Sequence, residues 1–160
     1  MSASPELVRQ AFAIRPLLAG DLPRWRPLWD GYNAFYGRSG ATALPEAVTR
    51  TTWERFLDPS EPVQALVAES GAELVGLAHF LFHRSTTLIE RTAYLQDLFT
   101  AEAWRGRGVG RALIEAVRDA ARVAGAARLY WHTQAANATA RRLYDQLADP
   151  PEFVVYRLLL

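Results

Sequence analysis

The stretch AWRGRGVGRALI, residues 103–114, sets three glycines and three arginines into the run from Arg105 to Arg111 and then passes straight into helical apolar spacing. Glycine has no Cβ, so its backbone takes positive φ and lets a ligand come close. The first turn of the helix that follows offers N–H groups without partners inside the helix, at the positive end of its dipole. Such a turn suits a phosphate. An ordinary surface turn needs a glycine or two and gains nothing from arginines set around them.

Three phosphate-binding designs compete for this segment. The Walker turn, GxxxxGK[ST], fails because the chain has no lysine. The dinucleotide fingerprint GxGxxG fails as well, since counting from Gly106 puts Arg111 in the third glycine place and counting from Gly108 puts Leu113 there. What remains is [R/Q]-x-x-G-x-[G/A], met by Arg105, Gly108 and Gly110 between a strand and a helix.

Outward from that turn, the spacing predicts a helix from about Gly108 to Ala124, with Val109, Leu113, Val117 and Ala120/Ala121 on one stripe and Gly125 ending it. Upstream, VQALVAES (63–70), ELVGLAHFLFHRS (73–85) and RTAYLQDLFT (91–100) read as antiparallel strands. FAIRP (12–16) reads as a first strand. A helix follows from Asp21 as its cap to Gly37, in which Pro27 implies a kink or a later start, and a second helix spans 45–58. Downstream, ARLYWHT (127–133) reads as a buried strand, Asn137 caps the helix NATARRLYDQLA, and EFVVYRLLL reads as the last strand. The order β-α-α-β-β-β-α-β-α-β predicts one α/β domain over 1–160, with a mixed, mostly antiparallel sheet of six to seven strands flanked by about four helices.

At 160 residues with half of them apolar and a net charge of +1, the chain matches an ordinary globular protein. No apolar run approaches the ~20 residues of a membrane span, and MSASPELVRQ lacks the layout of a secretory signal, so the reading is soluble and cytoplasmic. The near-neutral charge argues against nucleic acid as a partner. With no cysteine there is no disulfide, thiol nucleophile or thiolate-bound metal. All 18 basic residues are arginine, which compositional bias explains more simply than selection; the chemical consequence, no amine side chain, is the same.

With these residues in view, the chain resembles the GCN5-related N-acetyltransferases, whose acetyl-coenzyme A pyrophosphate turn carries this [R/Q]-x-x-G-x-[G/A] signature. LQDLFTAEAWRGRGVG is similar to the family's fourth strand and loop, and NATARRLYDQLA to its N-x-x-A-x-x-x-Y helix, in family order and spacing. The wording from Tyr94 to Leu160 resembles the fungal histone- and polyamine-acetylating branch and its bacterial relatives; the first 60 residues match only in layout. The resemblance implies a transferase that moves an acetyl group from acetyl-coenzyme A, its co-substrate, directly to a primary amine: a small amine, polyamine, amino acid or protein lysine. It implies that the main-chain N–H groups of Arg105, Gly106, Arg107, Gly108, Val109, Gly110 and Arg111 hold the pyrophosphate. It also places the pantetheine arm along Leu98, Phe99 and Thr100, with the main chain of Leu98 and Thr100 pairing with it and the Leu98 N–H polarising the thioester carbonyl. Asn137 either bonds the arm from the other side or serves only as a helix cap.

The resemblance also implies Tyr144 as general acid. A phenol of reference pKa ~10 can protonate a departing thiolate whose conjugate acid lies near ~8.5. Its spacing with Ala140 and Leu147 equally fits a core stripe. For the base the relatives use an acidic pair, where this chain has Gln96 and Asp97; Asp97 is the candidate, although strand alternation could turn it away from the cleft. ADPPEF departs from the small glycine-containing turn that relatives carry there. His79 and His83, ~13 Å apart at ~3.3 Å per residue, cannot share a metal and read, like His132, as packed or rim residues; no metal is expected. Trp25, Trp29, Tyr32 and Tyr36 form an aromatic stripe divided between core and acceptor pocket. The competing reading is a non-catalytic module that binds coenzyme A. The apolar tail fits either a strand lent to a homodimer or a central strand of the chain's own sheet.

Overall fold

The computed structural model describes residues 11–160. Its elements are β1 (Ala13–Pro16), α1 (Leu22–Phe35), α2 (Glu46–Leu57), β2 (Val63–Ser70), β3 (Glu73–His83), β4 (Arg91–Thr100), α3 (Val109–Val123), β5 (Ala126–Trp131) and α4 (Ala138–Leu147). One sheet runs in the order β1-β2-β3-β4-β5, antiparallel except where β5 joins β4 in parallel. Parallel neighbours need a crossover, and α3 supplies it.

Each face of the sheet carries its own apolar cluster. Under α1 and α2, Trp25, Leu28, Trp29 and Trp53 pack on Val67, Leu74 and Leu77. On the other face the predicted stripe of α3, Val109, Leu113 and Val117 with Ile114 and Ala121, is buried against Ala78, Phe80, Ala93 and Leu95. Gly76 is what lets α3 approach so closely: a Cβ there would stand 2.8 Å from Val109 Cγ1 and 3.1 Å from the Phe99 carbonyl oxygen. The glycine turn that opens α3 is thereby held beside the end of β4.

Several expectations change. Asp21 makes no capping bond to α1; its carboxylate accepts from the Leu18 N–H and pairs with Arg15 and Arg24, which also hold Glu69. The cluster ties β1 and β2 to the start of α1. Pro27 lies inside α1 without ending it. The sheet has five strands rather than six to seven, because EFVVYRLLL forms no ladder and lies exposed. The strand read over 127–133 is not buried: β5 is an edge strand with no fully buried residue, since among the described residues nothing pairs with its outer side. Among the described residues, no helix is long and apolar enough to cross a membrane.

Candidate active site

The parallel pairing of β4 and β5 runs only from Arg91 with Ala126 to Leu95 with Trp131. Beyond Leu95, β4 continues along β3 as far as Thr100 while β5 has ended, so the sheet opens into a cleft. The Ala101 N–H bonds the Val75 carbonyl on the β3 side. Strand alternation then turns the Phe99 amide the same way and leaves those of Leu98 and Thr100 directed into the cleft. The Thr100 carbonyl points there too, and accepts from Arg105 Nε at 3.3 Å. Phe99 contributes its ring, which lies under Gly31 of α1 and lines the cleft.

The glycine turn closes one end of this cleft. Gly106 and Gly108 take φ of 73° and 85°, a region that side-chain-bearing residues avoid, and Gly108 is the N-cap of α3. The first-turn N–H groups of Val109, Gly110 and Arg111 consequently face outward unpaired by the helix. Gly110 is not strained; a Cβ there would meet only Leu143 and Thr100 Oγ1 at ordinary distances. Arg105 and Arg111 line the cavity, the first lying over the Phe99 ring and the second reaching Gln146, whereas Arg107 lies over the Trp104 ring. The cavity between this turn, β4 and α4 has a volume of about 750 Å³. Its far wall holds Asn137 and Tyr144. Asn137 accepts the Ala140 N–H through Oδ1 at 3.3 Å, so a bond from its side chain to a ligand falls to the Nδ2 donor. Tyr144 stands edge-on to Trp131, and burial, then Tyr36, push its phenol above the ordinary range. It is therefore protonated at neutral pH.

The reading of strand alternation left the direction of Asp97 open; a bulge decides it. His79 faces Asp97 across the β3–β4 ladder, but Phe80 faces Leu95, which leaves Gln96 as an extra residue. A bulge shifts the phase of the strand. Leu95 packs under α3, while Asp97 and Phe99 turn to the α1 side. There His79 Nδ1 and Asp97 Oδ2 lie 2.9 Å apart, and the Trp25 indole donates to His79 Nε2 at 3.1 Å. An indole only donates, so Nε2 must be the bare nitrogen and Nδ1–H must donate to the carboxylate. His79 is 1% exposed. It is thus a packed histidine, as read from sequence, but one bonded to a candidate site residue; only the cross-strand register reveals that.

Asp97 opens into a second cavity of about 470 Å³, walled by Trp29, Leu44, Val48 and Phe56 and carrying Arg38 and Arg55. Arg38 Nε donates to Asn33 Oδ1 at 2.7 Å, and its guanidinium lies over the Tyr32 and Tyr36 rings. Of the aromatic stripe, only Trp25 is wholly core; Trp29 lines this cavity, Tyr36 the first, and Tyr32 both. Burial and the Asp97 charge hold the Tyr32 phenol far above its usual range. The two cavities meet at Tyr32. Arg38 escaped the sequence reading because a single arginine after a helix carries no motif.

The model of the Acetyltransferase (GNAT) family matches residues 25–148, and the chain belongs to that family. Its members move acetyl groups to amines, and this chain is an N-acetyltransferase of that class. It is 32% identical over 155 residues to the D-amino-acid N-acetyltransferase HPA3 of Saccharomyces cerevisiae, covering 95% of this chain and 93% of the yeast protein. It is 31% identical over 133 residues to the uncharacterized N-acetyltransferase YhfO of Bacillus subtilis, covering 83% and 86%. Among solved structures, a probable acetyltransferase superposes with a TM-score of 0.79 at 25% identity, covering 92% of this chain and 97% of that one. AAC(6')-Iy, in complex with the bisubstrate analog CoA-S-monomethyl-acetylneamine, superposes at 0.77 and 18% identity, covering 94% and 99%.

Proposed function

We propose that this protein acetylates the amino group of a free amino acid, transferring the acetyl group directly from acetyl-coenzyme A in the larger cavity to an acceptor held in the smaller one. The observation that carries this reading is the aim of Asp97. It is the sole carboxylate among the residues lining the smaller cavity, set where that cavity meets the cofactor cleft, with Arg38 and Arg55 as its cationic counterparts. A zwitterion matches this arrangement, with its ammonium at Asp97, its carboxylate at the Arg38 fork and an apolar side chain against Leu44, Val48 and Phe56. A polyamine, cationic throughout, would set a charge against Arg38. The likeness to a yeast D-amino-acid N-acetyltransferase supports the same class.

In this reading the amides of Arg105 to Arg111 grip the pyrophosphate, while Leu98 and Thr100 align the pantetheine arm as an added strand, with Asn137 Nδ2 donating from the opposite wall. The Leu98 N–H is directed at the thioester carbonyl, where negative charge develops as nitrogen attacks. Asp97 takes a proton from the ammonium, freeing the lone pair that forms the N–C bond. Tyr144 gives its proton to the sulfur as the C–S bond breaks. His79, clamped by Trp25, fixes the Asp97 carboxylate; it is a positioning residue. A cytoplasmic setting is supported by the cytosolic supply of the co-substrate and by a chain with no cysteine.

Thiol release from acetyl-coenzyme A, followed with D- and L-amino acids and polyamines side by side, tests the proposal. Amino acids are expected to turn over and polyamines to lag. Tyr144→Phe should lower kcat by ~10² to 10⁴ with little change in KM. Arg38→Gln should raise the amino-acid KM and leave that for acetyl-coenzyme A unchanged. Polyamine turnover exceeding every amino acid would sink the substrate class. Coenzyme A binding without thiol release for any amine would sink the catalytic reading itself.

A further inference from the structure

Around β1 and α1, arginines are held by carboxylates: Arg15 and Arg24 by Asp21 and Glu69, Arg26 by Asp30 and Glu46. Arg38 is held differently. Its Nε donates to Asn33 Oδ1 at 2.7 Å, and its guanidinium lies 5.8 Å and 5.6 Å from the ring centroids of Tyr32 and Tyr36. No carboxylate pairs with it among the described residues. Its two Nη groups, an edge that fits a carboxylate, likewise have no hydrogen-bond partner among them, and Arg38 stands on the wall of the smaller cavity.

Residue 33 fixes Arg38 twice over. Gly37, at φ 77°, turns the chain back at the end of α1; the Arg38 N–H donates to the Asn33 carbonyl and the Gly37 N–H to that of Ala34. This pair of bonds is the glycine-ended helix stop, which returns the next residue over the last turn. The Asn33 amide then sets the side chain. Its Nδ2 donates to the Trp29 carbonyl at 2.9 Å, so Oδ1 is the acceptor turned to Arg38. Asn33 is 5% exposed, a buried polar residue of modest helix propensity whose amide is bonded at both ends.

A carboxylate in place of that amide would accept the same N–H and cancel the guanidinium charge. A neutral amide and two ring faces hold the fork and leave its charge for a ligand. Asp97, in the same cavity, is bonded to His79 rather than to Arg38. A fork held before the ligand arrives also loses less rotamer freedom on binding than a free one. Resting on the acceptor reading above, we infer that Asn33 is a specificity-determining residue: it positions Arg38 without neutralising it, so that the site selects amines bearing a carboxylate over the same amines without one. It touches no reacting atom and is a positioning residue.

The experiment follows thiol release with phenylalanine, in whichever configuration turns over faster, and with 2-phenylethylamine, which lacks only the carboxylate. The parent is expected to favour the acid in kcat/KM. Asn33→Ala should reduce that preference about tenfold, through the KM of the acid rather than kcat, with the KM for acetyl-coenzyme A unchanged. Asn33→Asp supplies a reading that a merely structural role would not move: it keeps an acceptor for Nε but sets a charge against the fork, so the preference should fall at least as far. Where Asn33→Ala does not fold, Tyr36→Leu removes a half-buried ring from under the guanidinium and should reduce the preference about two- to fivefold. A parent that turns over the amine as well as the acid defeats the acceptor reading itself. A parent that favours the acid, with any of these variants keeping the full preference, overturns the inference and leaves the acceptor reading standing.

Discussion

Strands β3 and β5 have similar apolar sequences and opposite fates. In β3, from Leu74 to Phe80, every residue is buried, with helices above and below and a ladder on each side. In β5 and α4 nothing is fully buried, and beyond them the most apolar stretch of the chain is open to solvent. Burial is therefore a property of neighbours rather than of composition. The larger cavity lies on the seam, its glycine turn mounted on the sealed part and Tyr144 on the open one.

That contrast can be broken by mutation. Phe80→Ala, in the sealed part, should cost about 3–5 kcal/mol in urea unfolding; a loss under 1 kcal/mol would show that the core around α3 is not packed as described. Gly76→Ala should cost about 1–3 kcal/mol, because its Cβ meets Val109 and the Phe99 carbonyl, and should raise the KM for acetyl-coenzyme A by displacing the turn at the head of α3. An unchanged KM would uncouple that turn from β3.

A third test uses pH. Bonds from Arg15 hold the Asp21 carboxyl far below its usual range, and those from Arg15 and Arg24 hold Glu69 at about 2. Groups with depressed folded pKa values stabilise fully above the ordinary carboxylate range, and that stabilisation is lost as pH falls through the folded values. The urea midpoint should fall as pH drops from about 4 to about 2, and Asp21→Asn should flatten that drop. Leu147→Ala, on the open part, should cost no more than about 1 kcal/mol in the same urea assay. A cost as large as that of Phe80→Ala would show that α4 is sealed as tightly as β3.

The glycine turn, the stripe of α3 and the strands β2 to β4 were legible in the sequence because their signals are local. A left-handed glycine, a helical period or a two-residue alternation needs no partner to be recognised. Asp97 was legible as a candidate but not as a direction, since the extra residue at Gln96 is defined only against β3. His79 was read as packed, and its bond to Asp97 could not be seen because it joins residues 18 positions apart. The capping role read into Asp21 failed for a related reason: Arg15, Arg24 and Glu69 gather around it only after β1, β2 and α1 have met.

By itself the sequence determined the glycine turn at the head of α3 and the order of elements as far as α4, because each is written in residues close along the chain. The tertiary structure decided which face Asp97 takes, which arginine shares its cavity, and that the final apolar segment forms no ladder. Those outcomes depend on register and on neighbours far apart in sequence, where a shift of one residue reverses every side chain.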